Sequence, residues 1–209
     1  ATARSGTALS AVDGGISAAA IAEVQARHVM ALRNPRDELR VREELIAEVR
    51  HPAVAGKCEW TREVWNSELG RKVEIRGPSI RFAECLLRAL RNVSVDAITV
   101  DETADRRVVR VVVRDLESNY SFVRDVLTTK VVERRNLNER SEVVSSRINS
   151  RGDTVFLVRA TEQEWRTTEA AFVARAIRAG AVKVTKTSLR EDALTAARDA
   201  VKQQFRDDP

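Results

Sequence analysis

The chain has 209 residues, 43% of them hydrophobic, 32% charged and 4% aromatic, with a net charge of +5. That length suffices for one domain with a real core, and two cysteines, Cys58 and Cys85, make no disulfide framework, which fits a reducing, intracellular setting. No run of about 18 to 20 apolar residues exists to span a bilayer, because stretches such as 16–22 and 108–113 are short or broken by Arg110.

The chain opens without Met and without the pattern of a secretory leader, so it is expected to be trimmed, processed or partial. Residues 1–15 are small and polar, end in Gly14-Gly15, and predict a flexible arm. From Ser17, a potential N-cap, residues Ile21, Val24, His28, Ala31 and Leu32 recur at helical spacing until Asn34-Pro35 stops the helix. A second helix carries Leu39, Leu45, Ile46 and Val49 on its stripe and ends at His51-Pro52, so that 16–52 reads as a helical hairpin.

Residues 53–76 read as irregular, with Trp60 and Trp65, and close in a short strand-like run over 72–76. Gly77-Pro78 punctuates. Ser79 then caps a helix whose Ile80, Ala83, Leu86, Leu87 and Leu90 form an apolar face, and which stops near Asn92. The period then changes to that of strands: 93–100, 108–113 and 122–132 are β-rich, separated by turns at 101–105 and 117–119, and predict a three-stranded meander. The polar stretch 133–153 predicts a mobile loop or an extended hairpin around Arg151-Gly152-Asp153, followed by a strand over 155–158.

A helix over 162–181 would turn Trp165, Ala171, Phe172, Ala176 and Ile177 inward and leave Arg166, Arg175 and Arg178 at its rim. A last amphipathic helix over 188–205 would bury Leu194, Ala197, Val201 and Phe205. The class is α+β, divided into an arm (1–15), a helical hairpin serving as the contact between protomers (16–52), a core (53–187) and a C-terminal helix (188–209).

Most enzyme signatures are missing. There is no GxxxxGK[ST] phosphate loop and no GxGxxG after a strand, so P-loop ATPase and dinucleotide chemistry have no support. His28 and His51 have no cysteine at ligand spacing, and Cys85, beside Leu86 on an apolar face, reads as a buried structural thiol. Asp115 and Glu117 at a strand end near Lys130 loosely resemble a metal-dependent nuclease pair, but such D-x-E spacing arises readily by chance in a chain this charged. No cofactor and no metal is expected.

The charge is unevenly placed. Residues 1–105 carry 15 basic and 16 acidic side chains, 106–186 carry 17 and 10, and 187–209 carry 4 and 5. The middle stretch therefore holds the whole excess, as expected of a surface that faces a polyanion. Arg110 and Arg114, at even spacing on one strand, would share a face opposite Val111 and Val113. Arginine's planar fork matches phosphate oxygens, and the scarcity of aromatic platforms predicts a grip on phosphates that leaves bases free.

Three blocks carry a resemblance: NPRDELRVREEL (34–45), GPSIRFAECLLRAL (77–90) followed by Asn92, and VRDLESN (113–119). They resemble a pattern of bacteriophage recombination proteins, GPSIRLAE, then a Trp-Gly-Asn helix end, then a strand ending Asp-Leu-Glu-x-Asn, similar to the single-strand annealing proteins of the RecT, Red-beta and Rad52-like class. Here Leu90-Arg91 stands where that pattern has Trp-Gly. The resemblance implies a helix, meander, helix core and an ATP-independent, non-enzymatic oligomer, a ring or helical filament. Such an oligomer would lay single-stranded DNA along a basic groove in the host-cell cytoplasm and pair it with its complement. Implied partners are single-stranded DNA, the annealed duplex, further copies of the chain, and a phage exonuclease or a host single-strand-binding protein. The groove residues so implied are Arg107, Arg110, Arg114, Arg124, Lys130, Arg134 and Arg135 from the sheet side, with Arg175, Arg178, Lys183 and Lys186 from the helix side. A phage assembly protein, its arginines paired with acidic neighbours, is the alternative.

Overall fold

A computed structural model of the chain describes residues 9–138 and 141–207. Three helices, α1 (Leu9–Arg33), α2 (Glu38–Arg50) and the short α3 (Pro52–Ala55), precede a hairpin of β1 (Glu59–Asn66) and β2 (Arg71–Pro78). Helix α4 (Ile80–Leu90) leads into β3 (Val93–Glu102), β4 (Arg106–Asp115) and β5 (Ser121–Thr129), which pair in that order as an antiparallel meander. A second antiparallel sheet, in the order β6 (Val131–Arg134), β8 (Thr154–Arg159), β7 (Val143–Ile148), comes before α5 (Glu162–Val184) and α6 (Thr187–Asp207). The class is α+β, as the hydrophobic periods indicate.

Two cores hold these elements. One joins α2, α3, α4 and α6 through Val41, Leu45, Val49, Val54, Phe82, Leu86, Leu90, Leu194 and Ala197. The other seats α5 on the meander, with Val109, Val111 and Val113 of β4 and Val126 of β5 against Phe172, Val173, Ala176 and Ile177. The alternation on β4 is as read: Val111 and Val113 are inside, whereas Arg110 and Arg114 lie on the opposite face. The approach is tight at Gly180, where a Cβ would lie 2.8 Å from Val113 Cβ and 2.9 Å from Phe122 Cδ1, and closer still to Val113 Cγ2. A glycine here costs helix propensity and gains the close seat of α5.

Both ends of α4 are set locally. Ser79 Oγ accepts from Phe82 N (3.1 Å), the N-cap expected of the Gly-Pro-Ser run. At the other end Arg91 has φ 58° and ψ −59°, and Asn92 N donates to Leu90 O (2.6 Å). This is a γ-turn of the rare hand, strained for a residue with a Cβ. Arg91 occupies the position at which the resembled pattern has Gly, and its guanidinium donates to both Glu44 oxygens (2.7 and 2.8 Å) on α2.

Several expectations are corrected. Helix α1 starts at Leu9, so 9–15 is helical and Ser17 is no N-cap; residues 1–8 of the expected arm lie outside the described residues. The helix continues through Gly14 and Gly15 into the alanine run 18–20. Helix α2 packs on α4 and α6 instead of returning along α1, whose Arg27 and His28 reach Asp96 (3.1 Å) and the Leu116 carbonyl (2.9 Å). The expected hairpin of 16–52 is therefore two helices docked on different surfaces. Leu39, Ile80 and Ala171 are exposed, because the buried stripes run through Val41, Leu45 and Val49 on α2, through Phe82, Cys85 and Ala89 on α4, and through Ala176 on α5. Phe205, in the last turns of α6, is exposed.

The stretch 53–70, read as irregular, holds α3 and β1, with Trp60 and Trp65 both on a strand, and the expected strand-like run over 72–76 is part of β2. The run 122–132 breaks at Lys130, whose N–H donates to Asp105 O (2.7 Å) and whose carbonyl accepts from Ala160 N (2.8 Å), turning the chain into the second sheet. Of the two readings for 133–153, the hairpin is the one formed, with β7 and β8 joined across a turn that contains Gly152 at φ 83°.

Candidate nucleic-acid interface

Carboxylates, many of them from distant segments, take up more than half of the described arginines. Arg110 donates from Nε and Nη2 to the two Asp125 oxygens (2.8 and 2.9 Å), and Arg114 Nε donates to Ser121 Oγ (3.0 Å). Arg107 lies on the inner side of the sheet, bonded to Glu102 (2.8 Å) and Glu169 (3.3 Å) and stacked 4.5 Å from the Trp165 ring centroid. Lys130 joins the same cluster through Glu102 (2.6 Å), and hydrogen bonds from Arg107 and Lys130 hold the Glu102 carboxyl at about 2. Arg134 pairs with Glu164 and Lys186 with Glu38. Arg135 is exposed in the loop after β6, and Arg140 lies outside the described residues.

The pattern differs along one side of α5. Arg175 and Arg178, with Ala171 and Ala174, form an i, i+3, i+4, i+7 stripe that lines one cleft, and Arg175 also borders a second. Towards β5 the cleft is about 210 Å³ and is walled by Arg124, Val126, Leu127, Phe172 and Arg175. Asp125 also borders it, with its carboxylate already on Arg110. Towards β1 the cleft is about 450 Å³, walled by Trp60, Arg62, Ile80, Ala171, Ala174, Arg175 and Arg178. Trp60 and Arg62 share a face of β1 because strand side chains alternate. Among the described residues Arg62, Arg124, Arg175 and Arg178 have no ion pair.

The sequence reading thus splits. Arg124, Arg175 and Arg178 are brought together at the clefts. Arg107, Arg110, Lys130, Arg134 and Lys186 are in ion pairs, and Arg114 is on the far face of the sheet. Lys183 and Lys186 stand at the far end of α5, around a separate cavity of about 550 Å³ with Arg36, Tyr120 and Leu189. Arg62 was missed because it lies outside the basic stretch; the signal that could have found it is the Trp60-x-Arg62 spacing on one strand face.

The Trp60 indole lies against Gly77, its cross-strand partner, where a Cβ would come within 2.8 Å of the ring. Its Nε1 is buried without an acceptor among the described residues, so packing alone and the Arg178 guanidinium, 5.8 Å from the ring centroid, hold it. That explains the glycine of the Gly-Pro-Ser block.

The remaining motif residues meet elsewhere. Arg36 donates from Nη2 to Asp115 (2.8 Å), from Nε to the Leu90 carbonyl (3.0 Å) and from its backbone N–H to Glu117 (3.0 Å). Asn92 Nδ2 bonds both Glu117 (2.6 Å) and the Asn34 carbonyl (2.8 Å), and Ser118 Oγ donates to Asp115 (2.7 Å). Burial pushes the Asp115 carboxyl up, and the hydrogen bonds from Arg36 and Ser118 outweigh it and leave it below the ordinary value. The clip ties the α1–α2 link to the end of α4 and the β4–β5 turn, so the two carboxylates weighed as a metal pair are occupied by arginine and asparagine. No group of three or more His, Cys, Asp or Glu side chains converges as a metal site among the described residues. Burial also pushes the Cys58 thiol up to about 11 and the Cys85 thiol up to about 12, the character of structural cysteines.

Comparison with protein-family models, curated proteins and solved structures finds no match. No helix among the described residues is long and apolar enough to cross a membrane.

Proposed function

We propose that the protein binds single-stranded DNA and anneals complementary strands without ATP, as part of bacteriophage recombination, with the strand held by its phosphates along the outer side of α5. One observation carries this reading: Arg62, Arg124, Arg175 and Arg178, which have no ion pair among the described residues, are grouped around two clefts that share Arg175. Arginine forks without a carboxylate are available for phosphate oxygens. The motif resemblance supports the same reading, and the helix, meander, helix order agrees with it.

The test is binding of a fluorescent oligo(dT) between 50 and 200 mM salt, followed by pairing of complementary strands without ATP. Each phosphate contacted contributes about 0.7 to the log–log salt slope, so three or four contacts lower affinity roughly 20- to 50-fold over that range. The double substitution Arg175→Gln and Arg178→Gln removes about 1.4 from the slope. Arg110→Ala with Arg114→Ala, on the far face, leaves it unchanged. Affinity independent of salt refutes the phosphate grip; salt-dependent binding without faster pairing favours the assembly role.

A further inference from the structure

We infer that the cleft between β1 and α5 is a nucleobase pocket, in which one base of the bound strand stacks on Trp60. The inference rests on the DNA reading of the groove and sharpens it, because the low aromatic content alone predicts a grip on phosphates only.

The cleft, about 450 Å³, falls in the range of small-ligand sites. Its walls divide by chemistry as a nucleotide does. Trp60, Ile80, Ala171 and Ala174 supply apolar surface for a flat ring, and Arg62, Arg175 and Arg178 supply charge for the flanking phosphates, with no carboxylate in the lining. Ile80 is 38% exposed although it opens an otherwise well-buried helix, and a base lying in the cleft would cover it.

The two cation-covered tryptophans differ in a way that matters. Trp165 has Arg107 at 4.5 Å and Lys130 at 5.2 Å, both fixed by Glu102, so its cover is locked. Among the described residues Trp60 has Arg178 alone, at 5.8 Å and with no carboxylate holding it, near the outer limit of a cation–π contact. The guanidinium can lift, admit a base onto the indole and stack on the base in turn. Trp60 itself stays seated, since Gly77 backs the ring. One stacked base per protomer fixes the strand's position and leaves its neighbours free to pair.

The experiment compares oligo(dT) with an abasic oligomer of equal length, which has the phosphates and no bases. The wild-type protein is expected to prefer oligo(dT), and Trp60→Leu to weaken oligo(dT) binding by about 5- to 150-fold, the range for one stacked base, with the salt slope and the abasic affinity unchanged. Circular dichroism melting checks the fold of the variant, and the wild-type comparison stands without it. Equal wild-type affinity for the two probes overturns the pocket and leaves the phosphate groove standing. A Trp60→Leu loss equal for both probes, or no loss, likewise overturns it. Failure of the wild-type protein to bind either probe overturns the DNA reading and the pocket with it.

Discussion

Substituting Gly180 by alanine sets two well-separated effects against each other. In a helix interior the change should stabilise by about 1 kcal/mol through propensity. On α5 the new methyl would sit 2.8 Å from Val113 Cβ and 2.9 Å from Phe122 Cδ1, at least about 0.6 Å inside the roughly 3.5 Å at which carbon atoms pack. Val113 is fully buried on the central strand of the meander, so the wall cannot yield and α5 must lift. Overpacking of this kind costs up to about 3 kcal/mol, which leaves a net loss of about 2 kcal/mol. Urea denaturation should show a midpoint lower by roughly 1 M with an unchanged m-value. Adding Val113→Ala relieves the Cγ2 contact and keeps the Cβ one, so the double variant should be more stable than the sum of the single losses by about 1 kcal/mol. A Gly180→Ala protein as stable as the parent, or more so, would refute the close seating of α5.

Arg36→Ala leaves Asp115 nearly buried without its counter-charge and should cost about 3 to 5 kcal/mol by thermal or urea unfolding. Because the Asp115 carboxyl is depressed in the native protein, its contribution is present above the ordinary carboxylate value and is lost as pH falls through the lowered one. Asp115→Asn should therefore flatten the acid limb of a stability–pH profile, and an unchanged limb would show that Asp115 is not a source of it. At Arg91, both Gly and Ala remove the ion pair to Glu44 but only Gly removes the strain of the positive φ, so Arg91→Gly should be more stable than Arg91→Ala by about 1 kcal/mol.

What the sequence made legible was what depends on local rules. The Gly-Pro-Ser cap of α4 and the in–out alternation of β4 follow from capping and from the period of two, and both are found. Strand β1 was illegible because charged and aromatic side chains are mixed on both faces of a largely exposed hairpin, with no apolar face to betray it. The charge excess over 106–186 could not show which of its cations are already paired: Arg110, Lys130, Arg134 and Lys186 are, and Arg124, Arg175 and Arg178 have no ion pair among the described residues. Summed charge cannot report that Arg110 finds Asp125 across a strand or that Lys186 finds Glu38 148 positions away. A groove is defined by arginines left over after such pairing, which only the tertiary structure reveals.

On the proposed reading, the stripe on α5 would also serve a bound strand as a ruler. From Ala171 to Arg178 the helix rises about 10 Å, close to three stacked nucleotides at the spacing of a B-form strand. Arg175 borders both clefts, so a phosphate bound there would belong to each. A strand following the stripe would present a short, nearly duplex-spaced segment, which a complementary strand could meet without first being stretched.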